Sequence, residues 1–386
     1  MFDCLYCGES KDSGEASLEH AVPQFIGGSS APARFQLKNV CKACNNRLGL
    51  FVDASYAKAW FTTNALAQAA RLLCRSENDP GLPLTYIGHT QVRGLAVPDG
   101  FIAEHWIGPS GETVVWVRAH ESRMDMLAGG NPITAKREPS TAFFVPTVAD
   151  GRLLTIARNS LQRMFKGKKV RTILCATAVD ESGVEITDAV LGFDLPNNDE
   201  RAAAAAVLQH VASEAMRSRI GVNAGFDHRF VCKLALGVGY GLFGDPFLRE
   251  TTTAELRRGL WPRKETPSPG VRGVSTLAPQ SNSLARLICY PGTVVLLVMH
   301  AGKDWSLTLV VDQNSLFTVA IGPTSMTGSG VNPEEGYALV LVPYLDQVIE
   351  LTAADLIAHR QGALQHPDLC LIDQRSRDAA AFWANF

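Results

Sequence analysis

The stretch SLEHAVPQFIGG, residues 17–28, sets Glu19 beside His20 and follows them with Pro23 and the pair Gly27-Gly28. Two cysteine pairs bracket it. CLYC supplies Cys4 and Cys7, and CKACN supplies Cys41 and Cys44, with Asn45 directly after. Zinc takes four soft or borderline ligands in a tetrahedron, and two C-x-x-C knuckles offer four thiolates at suitable reach. The spacing therefore predicts structural Zn2+ on Cys4, Cys7, Cys41 and Cys44. The 33 residues between Cys7 and Cys41 exceed a compact ribbon spacing, so they must be folded structure themselves. A redox role for one C-x-x-C would call for a βαβ context, which these residues do not suggest.

A closed four-thiolate site has no open coordination position, so this zinc pins structure and performs no chemistry. It pins a loop carrying Glu19 and His20 to a helix expected from about Cys44, with Asn45 in its first turn. An imidazole can take a proton from water near neutral pH. A carboxylate and an amide oxygen are hard ligands suited to Mg2+ or Mn2+. Such an ion binds a scissile phosphate and stabilises the departing oxygen. The trio thus suits phosphodiester hydrolysis. Neighbouring strand residues point to opposite faces, however. Glu19 and His20 can share one phosphate only if the backbone bends there or the metal sits at the strand's edge. Asp53, two turns beyond Asn45, reads as a surface residue of the same helix.

The run C-x-x-C … EH-x-x-P-x-x-x-GG … N-x-C-x-x-CN-x-x-x-G resembles the zinc-bearing HNH endonucleases, the ββα-metal finger nucleases. Its matching positions are Cys4, Cys7, Glu19, His20, Pro23, Gly27, Gly28, Asn39, Cys41, Cys44, Asn45 and Gly49. The resemblance implies that His20 is the general base and that Glu19 and Asn45 hold the catalytic ion. It also implies that Asn39 braces the ββ hairpin, and that the reaction is DNA cleavage with one divalent ion. It covers roughly the first 50 of 386 residues.

The bulk numbers frame this head. Hydrophobic content of 46% and charged content of 19% describe a folded globular chain, and a net charge of −2 excludes one that is basic throughout. Nucleic-acid affinity must then come from a local patch. No apolar run reaches the ~20 residues that span a bilayer, and the N-terminus MFDCLYCGES has no signal-peptide pattern. The expected setting is cytoplasmic, with reduced thiols; Cys74, Cys175, Cys232, Cys289 and Cys370 read as ordinary buried thiols.

The expected fold class is α+β: a small treble-clef-like ββα-metal zinc finger, then a larger mixed α+β body with a sheet-rich C-terminal part. Its expected divisions are 1–58, 59–262 and 284–386, with 257–283 as linker. LTYIG, TVVWVRA and TAFFVP read as strands, and DGRLLTIARNSLQRMFKGKK as a helix. NNDERAAAAAVLQHVASEAMRSRIG reads as a helix ended by Gly221, with Arg217 and Arg219 in its last turn. Strand-like runs follow from about 285, with a short helix near TAADLIAHR. RFVCKLALGVGYGLFG reads as a helix weakened by three glycines. GVGYG lacks the context of a phosphate loop.

Between Gly151 and Val179 lie Arg152, Arg158, Arg163, Lys166, Lys168, Lys169 and Arg171, with no acid. They read equally as phosphate contacts and as a solvated helix face. Arg257, Arg258, Arg263 and Lys264 surround Trp261 and read as a linker feature. His105, His228 and His300 lack ligand spacing.

The sequence thus points to a metal-dependent HNH-type endonuclease acting on DNA, by analogy in a bacterial defence or mobile-element setting. Its body would select substrate or regulate. The alternative is a non-catalytic zinc-finger adaptor. Expected partners are DNA, a second copy for double-strand cleavage, and a regulatory ligand or protein, with no membrane.

Overall fold

The computed structural model describes residues 1–147, 150–175, 178–179, 185–186, 192–213, 215–262, 273–277, 287–311, 315–328 and 331–386. Arg263 and Lys264 lie outside them. The architecture is mixed α+β, with the cysteine pairs at the N-terminus, a helix after them and a sheet-rich C-terminal part. Residues fall into two compact units, 1–57 with 223–386, and 58–222. The expected divisions differ from this, because residues 223–262 join the head and the C-terminal sheet.

In the head, strands β1 (Phe2–Asp3) and β2 (Ser10–Lys11) pair antiparallel around the first knuckle. Strand β3 (Ala16–His20) pairs antiparallel with β4 (Gln36–Cys41). Helix α1 (Lys42–Leu48) follows at once and runs through a π-helical turn at Gly49–Asp53 into α2 (Ala54–Ala57). The Gly-Gly pair is explained by the β3–β4 connection. Gly27 has φ +96°, and a Cβ on Gly28 would meet the Val22 carbonyl oxygen at 1.9 Å. Neither position accepts a side chain without strain.

The second unit begins with α3 (Trp60–Arg71), followed by β5 (Thr85–Thr90), β6 (Phe101–Ile107), β7 (Thr113–Ala119) and β8 (Ser140–Val145). Helix α4 (Pro132–Arg137) precedes β8. Helix α5 (Gly151–Phe165) then crosses to β9 (Val170–Leu174), which pairs parallel with β8, as a crossover helix permits. A short pair, β10 (Ala178–Val179) with β11 (Glu185–Ile186), precedes α6 (Asn198–Ser213) and β12 (Ser218–Arg219). The sheet order is β12-β5-β6-β7-β8-β9. Val114 and Trp116 enter one core with Leu161 and Phe165 of α5, while Val115 and Val117 enter another with Val207 of α6. Both faces are covered, so TVVWVRA is continuously apolar instead of alternating. The expected helix ending at Gly221 stops at Ser213 instead, because Ser218 and Arg219 pair with β5.

The first unit resumes with α7 (Ala224–Phe243), α8 (Asp245–Leu248) and α9 (Thr251–Leu260). Six antiparallel strands complete it: β13 (Gly273–Leu277), β14 (Val294–Ala301), β15 (Asp304–Val311), β16 (Ser315–Pro323), β17 (Tyr337–Val342) and β18 (Gln347–Leu351). Their order is β13-β16-β15-β14-β17-β18, and helices Ala353–Arg360 and Pro367–Trp383 close the chain. The stretch read as a linker therefore contributes the end of α9 and an edge strand. Helix α7 is apolar almost all round because it is buried between neighbours. Phe230 stacks on Tyr56 of α2 at 3.9 Å between ring centroids, and Tyr56 meets Phe317 of β16 edge-on. The head is also tied to the C-terminal sheet through Arg34, 2.6 Å from Glu350, and through Ser29, whose hydroxyl donates to Asp346.

Candidate active site

The four sulfurs of Cys4, Cys7, Cys41 and Cys44 lie within 4.8 Å of one another. Tetrahedral zinc with Zn–S near 2.3 Å sets sulfurs about 3.8 Å apart, so the cluster has the donor set and spacing for structural zinc. Backbone amides orient it: Cys41 N–H donates to Cys4 Sγ and Cys44 N–H to Cys41 Sγ, each at 3.4 Å. Gly8, at φ +74°, turns the first knuckle so that its N–H reaches the Cys4 carbonyl at 2.8 Å. A hydrogen bond from the Cys44 thiol is the main reason the Cys4 pKa falls to about 4, while Cys44, the donor, is pushed up. Burial pushes Cys7 up to about 11.

The zinc site sits where β4 becomes α1, and Leu5 N–H donates to the Asn39 carbonyl at 2.9 Å, joining the first knuckle to β4. The Asn39 side-chain Oδ1 is buried with no hydrogen-bond partner among the described residues. The contact that Asn39 makes to the first knuckle is through its backbone carbonyl. Asn45, on the first turn of α1, reaches across to β3: its Nδ2 donates to the Leu18 carbonyl at 2.9 Å and to Ser17 Oγ at 3.2 Å.

Glu19 and His20 do separate across the strand. The register of β3 against β4 shifts between Ser17 and Glu19. Glu19 turns inward, 7% exposed, whereas His20 stays half-buried and its ring makes no hydrogen bond among the described residues. The Glu19 carboxylate meets a residue that motif reading does not reach. Lys233 of α7 places Nζ 2.8 Å from Glu19 Oε1 and 3.3 Å from Asp53 Oδ2, and donates to the His20 carbonyl at 3.1 Å. Asp53 is accordingly directed inward, not a surface residue. Burial raises its pKa, with Lys233 pulling the other way. For Lys233, burial opposes the charge, but Asp53 and Glu19 outweigh it and raise its pKa. The one sequence signal for Lys233 is a charge set within the apolar stretch 230–239 of its helix.

Residues 4–61 match the HNH endonuclease family. No curated protein and no solved structure matches the chain. The HNH match spans β3, β4 and α1 together with all four cysteines.

The basic run of the second unit is largely committed. Arg171 pairs with Glu200 at 2.7 Å, Arg163 donates to the Gly81 carbonyl, and Arg152 lies 3.6 Å from Asp150, the N-cap of α5. Lys168 lies over the Trp116 ring, and burial lowers its pKa to about 8. Arg158 is half-buried, and Lys166 and Lys169 are exposed. The absence of acids along the run thus concealed acids supplied from elsewhere in the chain. In the first unit, Trp261 carries Arg47 of α1 over its ring at 4.4 Å and Arg229 of α7 at 5.5 Å. Its Nε1 donates to the Tyr6 carbonyl. Among the described residues no helix is long and apolar enough to cross a membrane.

Proposed function

We propose that the HNH head is a metal-dependent nuclease that hydrolyses DNA phosphodiester bonds. The supporting observation is that the family match coincides with a four-sulfur cluster joining the β1–β2 knuckle to the end of β4 and the start of α1, with β3 paired to β4 beside it. His20 accepts a proton from the attacking water, a transfer left open by a ring that makes no hydrogen bond among the described residues. Glu19 and Asn45 would hold Mg2+ or Mn2+, with the Glu19 carboxylate shared between the ion and Lys233, whose Nζ lies 2.8 Å from Oε1. The Asn45 amide nitrogen is used on Leu18, which leaves its oxygen as the hard donor. When bound, the ion supplies Lewis-acid stabilisation of the phosphate and the leaving oxygen. Cys4, Cys7, Cys41 and Cys44 hold zinc as a structural element.

Arg47, Lys166 and Lys169 remain available for phosphate contact, and the body outside the head selects substrate or regulates. Plasmid nicking by the wild type in Mg2+ or Mn2+, absent in EDTA and lost in His20→Ala with zinc retained, is the expected result. DNA binding without cutting by either protein would favour the adaptor reading.

A further inference from the structure

Helix α7 carries one lysine inside the otherwise apolar run FVCKLALGVG, residues 230–239. Lys233 is fully buried, and its ammonium has three acceptors: the Glu19 carboxylate, the Asp53 carboxylate and the His20 carbonyl oxygen. Three protons meet three acceptors, so the group is saturated. The acceptors come from two elements that a finger nuclease must bring together. Glu19 and His20 end β3, whereas Asp53 lies on the helical extension of α1, the helix that bears Asn45. One ammonium therefore fastens the strand end to that extension.

The arrangement also accounts for the opposed directions of Glu19 and His20. Lys233 pairs with the Glu19 carboxylate in the interior and holds the His20 peptide by its carbonyl, while the His20 side chain stays half-buried. As a stability device the cluster is a poor choice, since buried ion pairs are often replaced by apolar groups at no loss. As a device for fixing two neighbouring residues in different directions it is well suited.

We propose that Lys233 is a positioning residue of the nuclease centre, delivered to the HNH head from α7. The proposal rests on the nuclease reading of that head. It has a charge consequence. Lys233 supplies the positive charge of this cluster, and Lys233→Met removes it from beside Glu19 and Asp53. A divalent cation beside Glu19 would then be held more tightly, while the His20 peptide would be held less well. Cation binding and turnover should move in opposite directions.

The test uses the full chain as wild type, Lys233→Met, Lys233→Arg and Asp53→Asn, each first checked for zinc content and melting temperature. Mn2+ binding is read by electron paramagnetic resonance, and plasmid nicking gives kcat and KM. Lys233→Met should retain zinc, bind Mn2+ several-fold tighter and lose about 10- to 100-fold in kcat, as changes behind metal ligands do, with KM for DNA unchanged. Lys233→Arg should restore wild-type Mn2+ affinity and part of kcat. If Lys233→Met does not fold, Asp53→Asn carries the test: it removes a negative charge, so Mn2+ should bind more weakly and kcat should fall. Wild-type kcat and Mn2+ affinity in the folded variants would overturn the proposal. A wild type that binds Mn2+ but never cuts would instead overturn the nuclease reading, with the Mn2+ shifts still reporting on Lys233.

Discussion

Gly237 of α7 and Ala21 of the head approach so closely that a Cβ on Gly237 would stand 2.7 Å from the Ala21 Cβ. Gly241, one turn on, is held the same way against Phe35, and Gly239 on another face against Phe247. The glycines that weaken α7 as an isolated helix are what let it lie against the head. Gly237→Ala should cost about 1–3 kcal/mol through overpacking, less the ~1 kcal/mol that Ala gains over Gly in a helix. Urea unfolding would measure the loss. Gly14→Ala, where nothing lies within 4 Å of the added carbon, is the control and should be near neutral.

Removal of zinc should loosen the β1–β2 knuckle from β4 and α1, where the four sulfurs converge, while Leu5, Tyr6, Phe35 and Val40 remain as a buried apolar core. Binding energies of structural zinc run to about 10–16 kcal/mol in small modules. Cys44→Ser should fall below one zinc per chain and lose all cleavage, measured by metal analysis beside a plasmid assay. Full activity without zinc would contradict the structural role of the cluster.

The Arg47–Trp261–Arg229 stack presents cations on a rigid ring beside α1. If Arg47 meets a phosphate, Arg47→Ala should weaken DNA binding at all sequences and lower the salt slope by about 1. Fluorescence anisotropy titrations at several salt concentrations read this directly. An unchanged slope would confine Arg47 to packing on Trp261.

His105 lies buried in the sheet of the second unit, 3.3 Å from Ser218 Oγ, and burial lowers its pKa to about 4. The folded state thus favours the neutral ring, and the unfolded chain binds the proton more readily. The sign follows: the contribution is full above pH 6.5 and is lost as pH falls from there through 4, up to roughly 3 kcal/mol. His105→Gln should flatten the melting temperature of this unit over that range. An equally steep acid limb in the variant would assign the loss to other groups.

The head was legible in the sequence because ligand geometry imposes spacing. Cys4, Cys7, Cys41 and Cys44 must return to one point, and Pro23, Gly27 and Gly28 shape one connection. Lys233 left no comparable trace, since its partners Glu19, His20 and Asp53 lie far upstream and the relation is wholly tertiary. The inward turn of Asp53 was hidden for the same reason. Strand β6, FIAEHWI, gives no alternation signal because Glu104 and His105 are both buried at its centre, with Glu104 bonded to Arg118 and Trp106. The end of α6 was misread at Gly221 because pairing of Ser218–Arg219 with β5 overrides a plausible cap. Within the basic run, the pairing of Arg171 was hidden because its acids, Asp194 and Glu200, come later in the chain.

Residues 58–222 stand between the head and the helix that completes it. At ribosomal speeds of about 5–20 residues per second, their synthesis takes roughly 10–30 s. During that interval the head is already outside the ribosome, able to take up zinc but without Lys233. On the proposed role of that lysine, a nascent chain turns over more slowly than the finished one, and so does any product truncated before α7. The order of the polypeptide itself delays the moment at which Lys233 joins Glu19, His20 and Asp53.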